Sequence, residues 1–273
     1  MAAQQRVVVE VSGGVADVRL NRPEKLNALD SAMFDAITDT LERLAGDTAV
    51  RAVVLSGEGR AFCAGLDMGS LAAMADTAPQ SASSDLGRRE PGQVANRAQL
   101  AAYGWSQLAV PVIAAVHGVA LGGGAQIALG ADLRIVAPDS QISIFEISWG
   151  LVPDMSATVT LPRLVGADVA KELTWTARLV SGEEAVRIGL ATRVAADPLG
   201  EALRLAAEIA ARNPHAVRAA KRMFASRPGA TDAERLAIES AEMAALIGSP
   251  NQSEAVRARL QKREPLFADP DLG

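Results

Sequence analysis

The sequence predicts a protein of the α/β class, and three observations lead to that prediction. Short β-rich runs alternate with Gly-rich turns and helical segments up to residue 197. From residue 198 onwards almost every segment has a helical pattern. With 273 residues, 49% of them hydrophobic, the chain is long enough to bury one large core, or a core with an appended module.

The first elements follow from local patterns. Residues 7–11 and Val15–Leu20 are β-rich and are separated by residues 12–14, a Ser-Gly-Gly turn, which predicts a hairpin. Asp30 is a suitable N-cap for a helix over Ser31–Ala45.

The middle of the chain repeats the order of strand, turn and helix. Residues 51–55 predict a short buried strand, and the weakly patterned residues 75–92 predict a long loop of the kind that often covers a site. A second buried strand is predicted over Val112–Val116, and a helix of small residues over residues 125–131. Two further strands are predicted, over Leu133–Val136 and residues 141–144.

Two capping boxes open helices in the last part of the chain, at residues 181–184 and residues 231–234. The helices there are rich in Ala and Leu and need a partner surface, on the core or on another subunit. We therefore predict two regions, a core over residues 1–197 and a helical oligomerisation region over residues 198–273.

Composition excludes several classes of function. Lys and Arg number 27 against 32 for Asp and Glu, so the chain lacks the basic excess of a nucleic-acid-binding protein. One cysteine and two histidines leave no disulfide framework and argue against a metal site. Residues 112–133 approach the length of a membrane span, but Gly122, Gly123 and Gly124 and three polar residues interrupt them. The N-terminus lacks a secretory signal, so we expect a cytoplasmic protein with no membrane partner.

Three segments could carry chemistry. In residues 59–67 a Gly-flanked turn could point the Ala64 N–H into a cleft, although most such turns only connect elements. Residues 116–126 place a Gly triplet between a strand and a helix, where a main-chain N–H can approach a negatively charged ligand. Tight packing of the helix on the sheet explains that triplet equally well. Cys63 has no visible basic partner, so a small buried residue is the better interpretation than a nucleophile.

The third segment contains two acids. Glu146 stands among apolar residues, where loss of water would raise the pKa of its carboxyl toward the range of a general base. Asp154 follows a Pro turn, where a helix cap is the common explanation.

Taken together and in order, these segments resemble the enoyl-CoA hydratase/isomerase (crotonase) superfamily. The match lies in residues 21–29, 61–67, 122–124, 146–153, 181–194 and 262–267. The resemblance implies a spiral of β-β-α units with a C-terminal helical region that builds trimers, commonly paired into hexamers. It also implies an acyl-CoA substrate, with no cofactor beyond the CoA that the substrate carries.

The resemblance assigns roles to individual residues. The Ala64 and Gly123 N–H groups would form an oxyanion hole for the thioester enolate. Substrate contacts would come from Lys25, Leu26, Ala61, Asp67 and Gln126.

The chain departs from the hydratase pattern at Gln126, where hydratases carry the first of two catalytic glutamates. An amide cannot exchange a proton at useful pH, so efficient hydration is in doubt. Isomerisation needs only one carboxylate, Glu146, and Asp154 matches the extra acid of dienoyl-CoA isomerases. We therefore favour isomerisation through Glu146 and Asp154. Hydration, hydrolysis of acyl-CoA thioesters, and an inactive acyl-CoA-binding protein remain the alternatives.

Overall fold

The computed structural model describes residues 5–75, 89, 92–225 and 229–271. Most of the predicted loop over residues 75–92 therefore lies outside the described residues.

Nine strands form two sheets in the described part of the chain. The larger has six strands in the order β1-β2-β3-β4-β6-β9, and the smaller has three in the order β5-β7-β8. The β1–β2 hairpin and the β7–β8 pair are antiparallel, whereas all other neighbours run parallel. The strands are β1 Val7–Ser12, β2 Val15–Leu20, β3 Ala52–Gly57, β4 Val112–Val116, β5 Val119–Leu121, β6 Leu133–Val136, β7 Gln141–Ser143, β8 Val180–Ser181 and β9 Arg193–Val194.

Eleven α-helices accompany the sheets among the described residues. They are α1 Ser31–Ala45, α2 Met68–Ala75, α3 Arg97–Gln107, α4 Gly123–Gly130, α5 Ala157–Val165, α6 Ala167–Thr176, α7 Gly182–Arg187, α8 Pro198–Ala210, α9 Pro214–Phe224, α10 Asp232–Leu246 and α11 Pro250–Gln261. Two short 3₁₀ turns cover Pro23–Lys25 and Glu146–Trp149.

Capping explains where several helices start. The Asp30 side chain accepts the Met33 N–H at 2.8 Å and begins α1 at the predicted residue. The predicted capping box before α10 is complete, because Thr231 and Glu234 bond each other's main-chain N–H. Before α7 only half of the predicted box forms: Ser181 accepts from the Glu184 N–H, and the Glu184 carboxylate pairs with Arg178.

The core lies on both faces of the larger sheet, as the alternation of side chains along a strand requires. Val53 and Leu55 of β3 face the main core, which α1, α3 and α4 cover. Ala52 and Val54 point to the other face, against the small side chains of α8. Since α8 belongs to this packing, the first helix of the predicted C-terminal region lies on the sheet. The division at residue 197 stays a prediction.

Some elements differ from their predicted bounds. The helix after the Gly triplet begins at Gly123, two residues earlier than predicted, and β5 over Val119–Leu121 was not predicted. Glycine has low helix propensity, and a strand of three residues is too short to show alternation, so local patterns miss both.

In the described part of the chain, the last helices have an apolar surface that no other element covers. No residue of α10 is buried, and Leu236, Met243 and Ile247 on or beside it are 59%, 60% and 70% exposed. Among the described residues, no helix is both long enough and apolar enough to span a bilayer.

Candidate active site

A cavity of about 780 Å³ opens where the loop after β3, the start of α4 and the turn after β7 meet. Its wall is mostly apolar, and its polar groups come from a few positions only, as is common for a binding site of a small molecule. The side chains that matter below, on or near this wall, are those of Lys25, Leu26, Arg60, Leu66, Glu146, Asp154 and Met155.

The Ala64 N–H was predicted to face the cavity, but it does not. It donates to the Leu26 carbonyl at 2.9 Å and so ties the loop after β3 to the turn after β2. A donor already bonded to a carbonyl cannot also stabilise an enolate, so the assignment of Ala64 to the oxyanion hole is wrong.

Leu66, two residues further along, supplies the free donor. The Leu29 N–H donates to the Gly65 carbonyl at 2.8 Å, and the Asp67 N–H donates to the Leu29 carbonyl at 3.0 Å. In extended backbone the groups on either side of a residue point opposite to its own N–H, so the Leu66 N–H points away from Leu29. Leu66 lines the cavity, and its N–H has no hydrogen-bond partner among the described residues.

The Gly123 N–H is the second free donor. Gly123 is the first residue of α4, so its N–H has no carbonyl within the helix to bond. No partner for it occurs elsewhere among the residues that the structure describes. The positive end of the helix dipole adds to the attraction for negative charge at this point.

Gly65 brings the two donors together. Its φ is +85°, and a Cβ added to it would lie 2.5 Å from the Leu121 carbonyl oxygen and 3.6 Å from the Gly123 nitrogen. Only glycine permits so close an approach in this conformation. The segments that carry the Leu66 and Gly123 donors therefore lie side by side at the cavity wall.

Glu146 lies at the other side of Gly122, at the start of the 3₁₀ turn after β7. A Cβ on Gly122 would lie 3.2 Å from Glu146 Oε1, so the carboxylate is close to the beginning of α4. Burial raises the pKa of Glu146, and the nearby Asp154 raises it further, whereas the hydrogen bond from Gln126 lowers it. Glu146 Oε2 is buried and has no partner in the described residues.

Gln126 is fully buried and does not line the cavity, which corrects its prediction as a substrate contact. Its Nε2 donates to Glu146 Oε1 at 2.6 Å. Its Oε1 accepts the Met155 N–H at 2.9 Å and the Ala157 N–H at 3.1 Å. Gln126 therefore contacts the carboxylate rather than a bound molecule.

Asp154 lines the same cavity as Glu146. The residue as a whole is exposed, yet loss of water around its carboxyl raises the pKa of Asp154 above the usual range. Two acids whose pKa values are raised by burial thus lie at one apolar wall.

The remaining predicted substrate residues divide into two groups. Lys25 and Leu26 line the cavity, and their contact with substrate stays a prediction. Ala61 does not, because it is 1% exposed and its carbonyl accepts the Asn27 amide at 2.8 Å. Asp67 reaches the wall, but one carboxylate oxygen pairs with Arg22 at 2.8 Å and the other accepts the Gly69 N–H at 2.8 Å. Asp67 therefore holds the loop in place, and the bond from Arg22 lowers its pKa.

The cysteine is no nucleophile. Cys63 is completely buried, and loss of water raises the pKa of its thiol to about 12. Its Sγ donates to the Asn27 carbonyl at 3.1 Å, as a small buried residue would.

The arrangement places two free main-chain donors and two acids with raised pKa values around one apolar space. Donors of this kind stabilise an oxygen that becomes negative, and the acids can move protons. Two residues that line the cavity were not predicted from the sequence: Leu66, and the positively charged Arg60. The alternation of N–H directions after Gly65 is the signal that could have found Leu66.

Comparison with known proteins covers almost the whole chain. The model of the enoyl-CoA hydratase/isomerase family matches residues 10–270. The chain is 33% identical to the short-chain-enoyl-CoA hydratase of Clostridium acetobutylicum over 94% of this chain and 95% of the relative. It is also 33% identical to the peroxisomal Delta(3,5)-Delta(2,4)-dienoyl-CoA isomerase of Arabidopsis thaliana, over 91% of each. The crystal structure of enoyl-CoA hydratase from Bacillus anthracis superposes with a TM-score of 0.86 at 30% identity, covering 96% of this chain and 99% of that one. These likenesses confirm the predicted crotonase-like fold.

Proposed function

Since this chain belongs to the enoyl-CoA hydratase/isomerase family, and is an enzyme of that family acting on acyl-CoA, we propose that it moves a double bond along the acyl chain rather than adding water to it. The observation that supports this choice is the amide of Gln126, which bonds Glu146 where a hydratase would have a second carboxylate. The proposed reaction moves only protons, so it needs no metal or redox cofactor.

The thioester oxygen would bind between the Leu66 and Gly123 N–H groups. When a proton leaves the carbon next to the thioester, negative charge develops on that oxygen. Two fixed donors in an apolar cavity stabilise the charge, and each is typically worth about 3 kcal/mol in comparable enzymes. Leu66 takes the role that the sequence had assigned to Ala64.

Glu146 would act as the base. Its carboxylate takes the proton from the carbon next to the thioester, the C–H bond breaks, and its electron pair forms the enolate. Burial raises the pKa of Glu146, which strengthens the base once it is ionised.

Asp154 would return a proton further along the acyl chain. Asp154 lines the same cavity as Glu146, and burial raises the pKa of its carboxyl above the ordinary value. Protonation of the far carbon and collapse of the enolate complete the shift of the double bond. Glu146 and Asp154 then exchange a proton through solvent or substrate to restore the starting state.

Hydration is the second candidate, because several relatives are named enoyl-CoA hydratases, including that of Clostridium acetobutylicum. In that reaction Glu146 would have to activate water without a second catalytic carboxylate at position 126.

Incubation with 2-enoyl-, 3-enoyl- and dienoyl-CoA in D₂O separates the two. We expect deuterium uptake and a moved double bond without the mass of added water, read by mass spectrometry. Efficient formation of a hydroxyacyl-CoA would contradict the proposal and favour hydration.

The same assay tests the two acids. Glu146→Gln should lower kcat by about 10²–10⁴-fold while CoA-ester binding is retained. Asp154→Asn should reduce the return of deuterium to the far carbon more than the loss of the first proton. Full activity of Glu146→Gln would refute its role as the base.

A further inference from the structure

The Gln126 side chain links the Glu146 carboxylate to the main chain that follows Asp154 through hydrogen bonds. Gln126 is 0% exposed, and its side chain makes three hydrogen bonds to other groups of the protein. One end bonds Glu146, and the other bonds the main chain at Met155 and Ala157, directly after Asp154.

These partners determine the orientation of the amide. Two N–H donors meet one end of the side chain, so that end is the carbonyl oxygen and the other end is the NH₂ group. The NH₂ group then donates to Glu146 Oε1 at 2.6 Å. A carboxylate at position 126 could accept the two N–H bonds, but when ionised it would have no proton to donate to Glu146.

The hydrogen bonds make the two oxygens of Glu146 different. Oε1 is held by Gln126, whereas Oε2 is buried without a partner in the described residues. A buried carboxylate oxygen without a partner has a strong tendency to take up a proton.

We infer that Gln126 is a positioning residue that holds Glu146 through Oε1 and ties this carboxylate to the segment that carries Asp154. The inference rests on the proposed function for the role of Glu146 as the base, but the coupling between Gln126 and Glu146 can be measured without turnover.

The other charged groups at the cavity lie outside this hydrogen-bonded unit. They are Glu24, Lys25, Arg60, Asp67, Arg97 and Asp154. Of these, Asp154 is the one that acts on the ionisation of Glu146.

A titration of the wild-type protein tests the coupling directly. With the glutamine side-chain amides labelled with ¹⁵N, we expect one NH₂ signal to shift with pH at the midpoint at which Glu146 ionises. That pH-dependent shift should disappear in Glu146→Gln, which also assigns it. If no glutamine amide follows the ionisation of Glu146, the inference is overturned.

Two nearly isosteric variants then test the direction of the effect. They lack the Gln126 amide, so the Glu146 midpoint is read in them, and in the wild type, from the ¹³C signal of its labelled side-chain carboxyl, which is assigned by its loss in Glu146→Gln. Gln126→Glu places a second carboxyl beside the first, so the midpoint of Glu146 should rise by about one pH unit or more. Gln126→Met removes the donor to Oε1 and should also move the midpoint to higher pH. Gln107→Met, at an exposed glutamine at the end of α3, is the matched control and should leave it unchanged.

The readouts separate the inference from the proposed function. If isomerase activity is absent but the amide signal follows Glu146, the coupling stands and the proposed reaction is wrong. If isomerisation occurs while Gln126→Glu or Gln126→Met, folded by circular dichroism, leaves the Glu146 midpoint in place, the positioning role is wrong. In a functional enzyme the acidic limb of the kcat–pH profile should move with that midpoint, a change that a merely structural residue would not produce.

Discussion

At the level of individual residues, the groups that matter in this site are polar groups that have no hydrogen-bond partner within the described part of the protein. The Leu66 and Gly123 N–H groups have no partner among the described residues, and Glu146 Oε2 is likewise free. Unsatisfied polar groups cost stability when water cannot reach them, so they are normally rare. Their concentration at one cavity is what a reaction through a charged oxygen requires.

The contribution of the Leu66 N–H can be separated from that of the Leu66 side chain by two substitutions. Leu66→Pro deletes the N–H, and we expect kcat to fall by about 10²–10³-fold because one of two oxyanion donors is lost. Leu66→Ala keeps the N–H and serves as the control, with kcat much closer to the wild-type value. Steady-state kinetics measure both, and thermal unfolding checks that the fold is retained. Equal losses in the two variants would speak against Leu66 as a donor.

The ionisation of Glu146 should also affect stability. Because burial raises its pKa in the folded state, the folded protein holds this proton more tightly than the unfolded chain does. The resulting stabilisation is complete below the ordinary pKa of glutamate and is lost as the pH rises through the raised value. Glu146→Gln cannot ionise, so the difference between its Tm and that of the wild type should increase in favour of the variant over this range. At higher pH the difference should stay constant.

A pH series of thermal unfolding measures this effect. Glu42→Gln, at an exposed position of α1, is the control and should follow the wild-type curve. If the Glu146→Gln and wild-type curves run parallel at every pH, ionisation of the buried carboxyl does not destabilise the folded protein as expected.

At the scale of elements, the site depends on where three segments end. The loop after β3, the start of α4 and the turn after β7 each contribute one part of it. Positive-φ glycines turn the chain at two of these points, Gly65 and Gly122. The loop after β3 is further held by the Asp67 pairs with Arg22 and with the Gly69 N–H.

Gly65→Ala should therefore damage both stability and activity. The added Cβ would meet the Leu121 carbonyl at 2.5 Å in a backbone conformation that alanine disfavours. We expect a cost of about 1–3 kcal/mol in the free energy of unfolding, and a fall in kcat because Leu66 is displaced from Gly123. Chemical denaturation and kinetics measure the two effects.

Gly46→Ala provides the matched control. Gly46 has a helical φ of −87°, and a Cβ there would meet its nearest atom at 3.7 Å. Its free energy of unfolding should change by less than about 0.5 kcal/mol. If Gly65→Ala is as harmless as this control, the close approach of the two segments is not needed.

At the scale of the whole molecule, the described residues leave one side of the C-terminal helices uncovered. The helix α10 has no buried residue, and Ile247 beside it is 70% exposed. Apolar surface of this kind is stabilised when another chain covers it. We propose that this face joins copies of the chain into a homotrimer or a hexamer.

Ile247→Glu tests the assembly. A charge buried without a partner destabilises an interface, so the variant should shift the population to smaller species. Light scattering after size-exclusion chromatography gives the molar mass. Val11→Glu, at a 48% exposed position of β1, should leave the mass unchanged. A monomeric wild-type protein would contradict the proposal.

Local patterns were sufficient for much of this protein. The Asp30 cap, the hairpin turn between β1 and β2, and the strand over Val112–Val116 each depend on neighbouring residues, so they could be predicted one segment at a time. The apolar setting of Glu146 was visible for the same reason.

Which donors are free, and what Gln126 bonds, could not be predicted in this way. The Ala64 N–H is taken by Leu26, and the Gln126 carbonyl by Met155 and Ala157, through contacts between segments distant along the chain. A hydrogen bond forms only when folding brings the two groups within reach of each other. The sequence next to one group does not reveal which distant residue will be its partner. The chemistry of this site therefore follows from pairings that exist only once the segments have packed together.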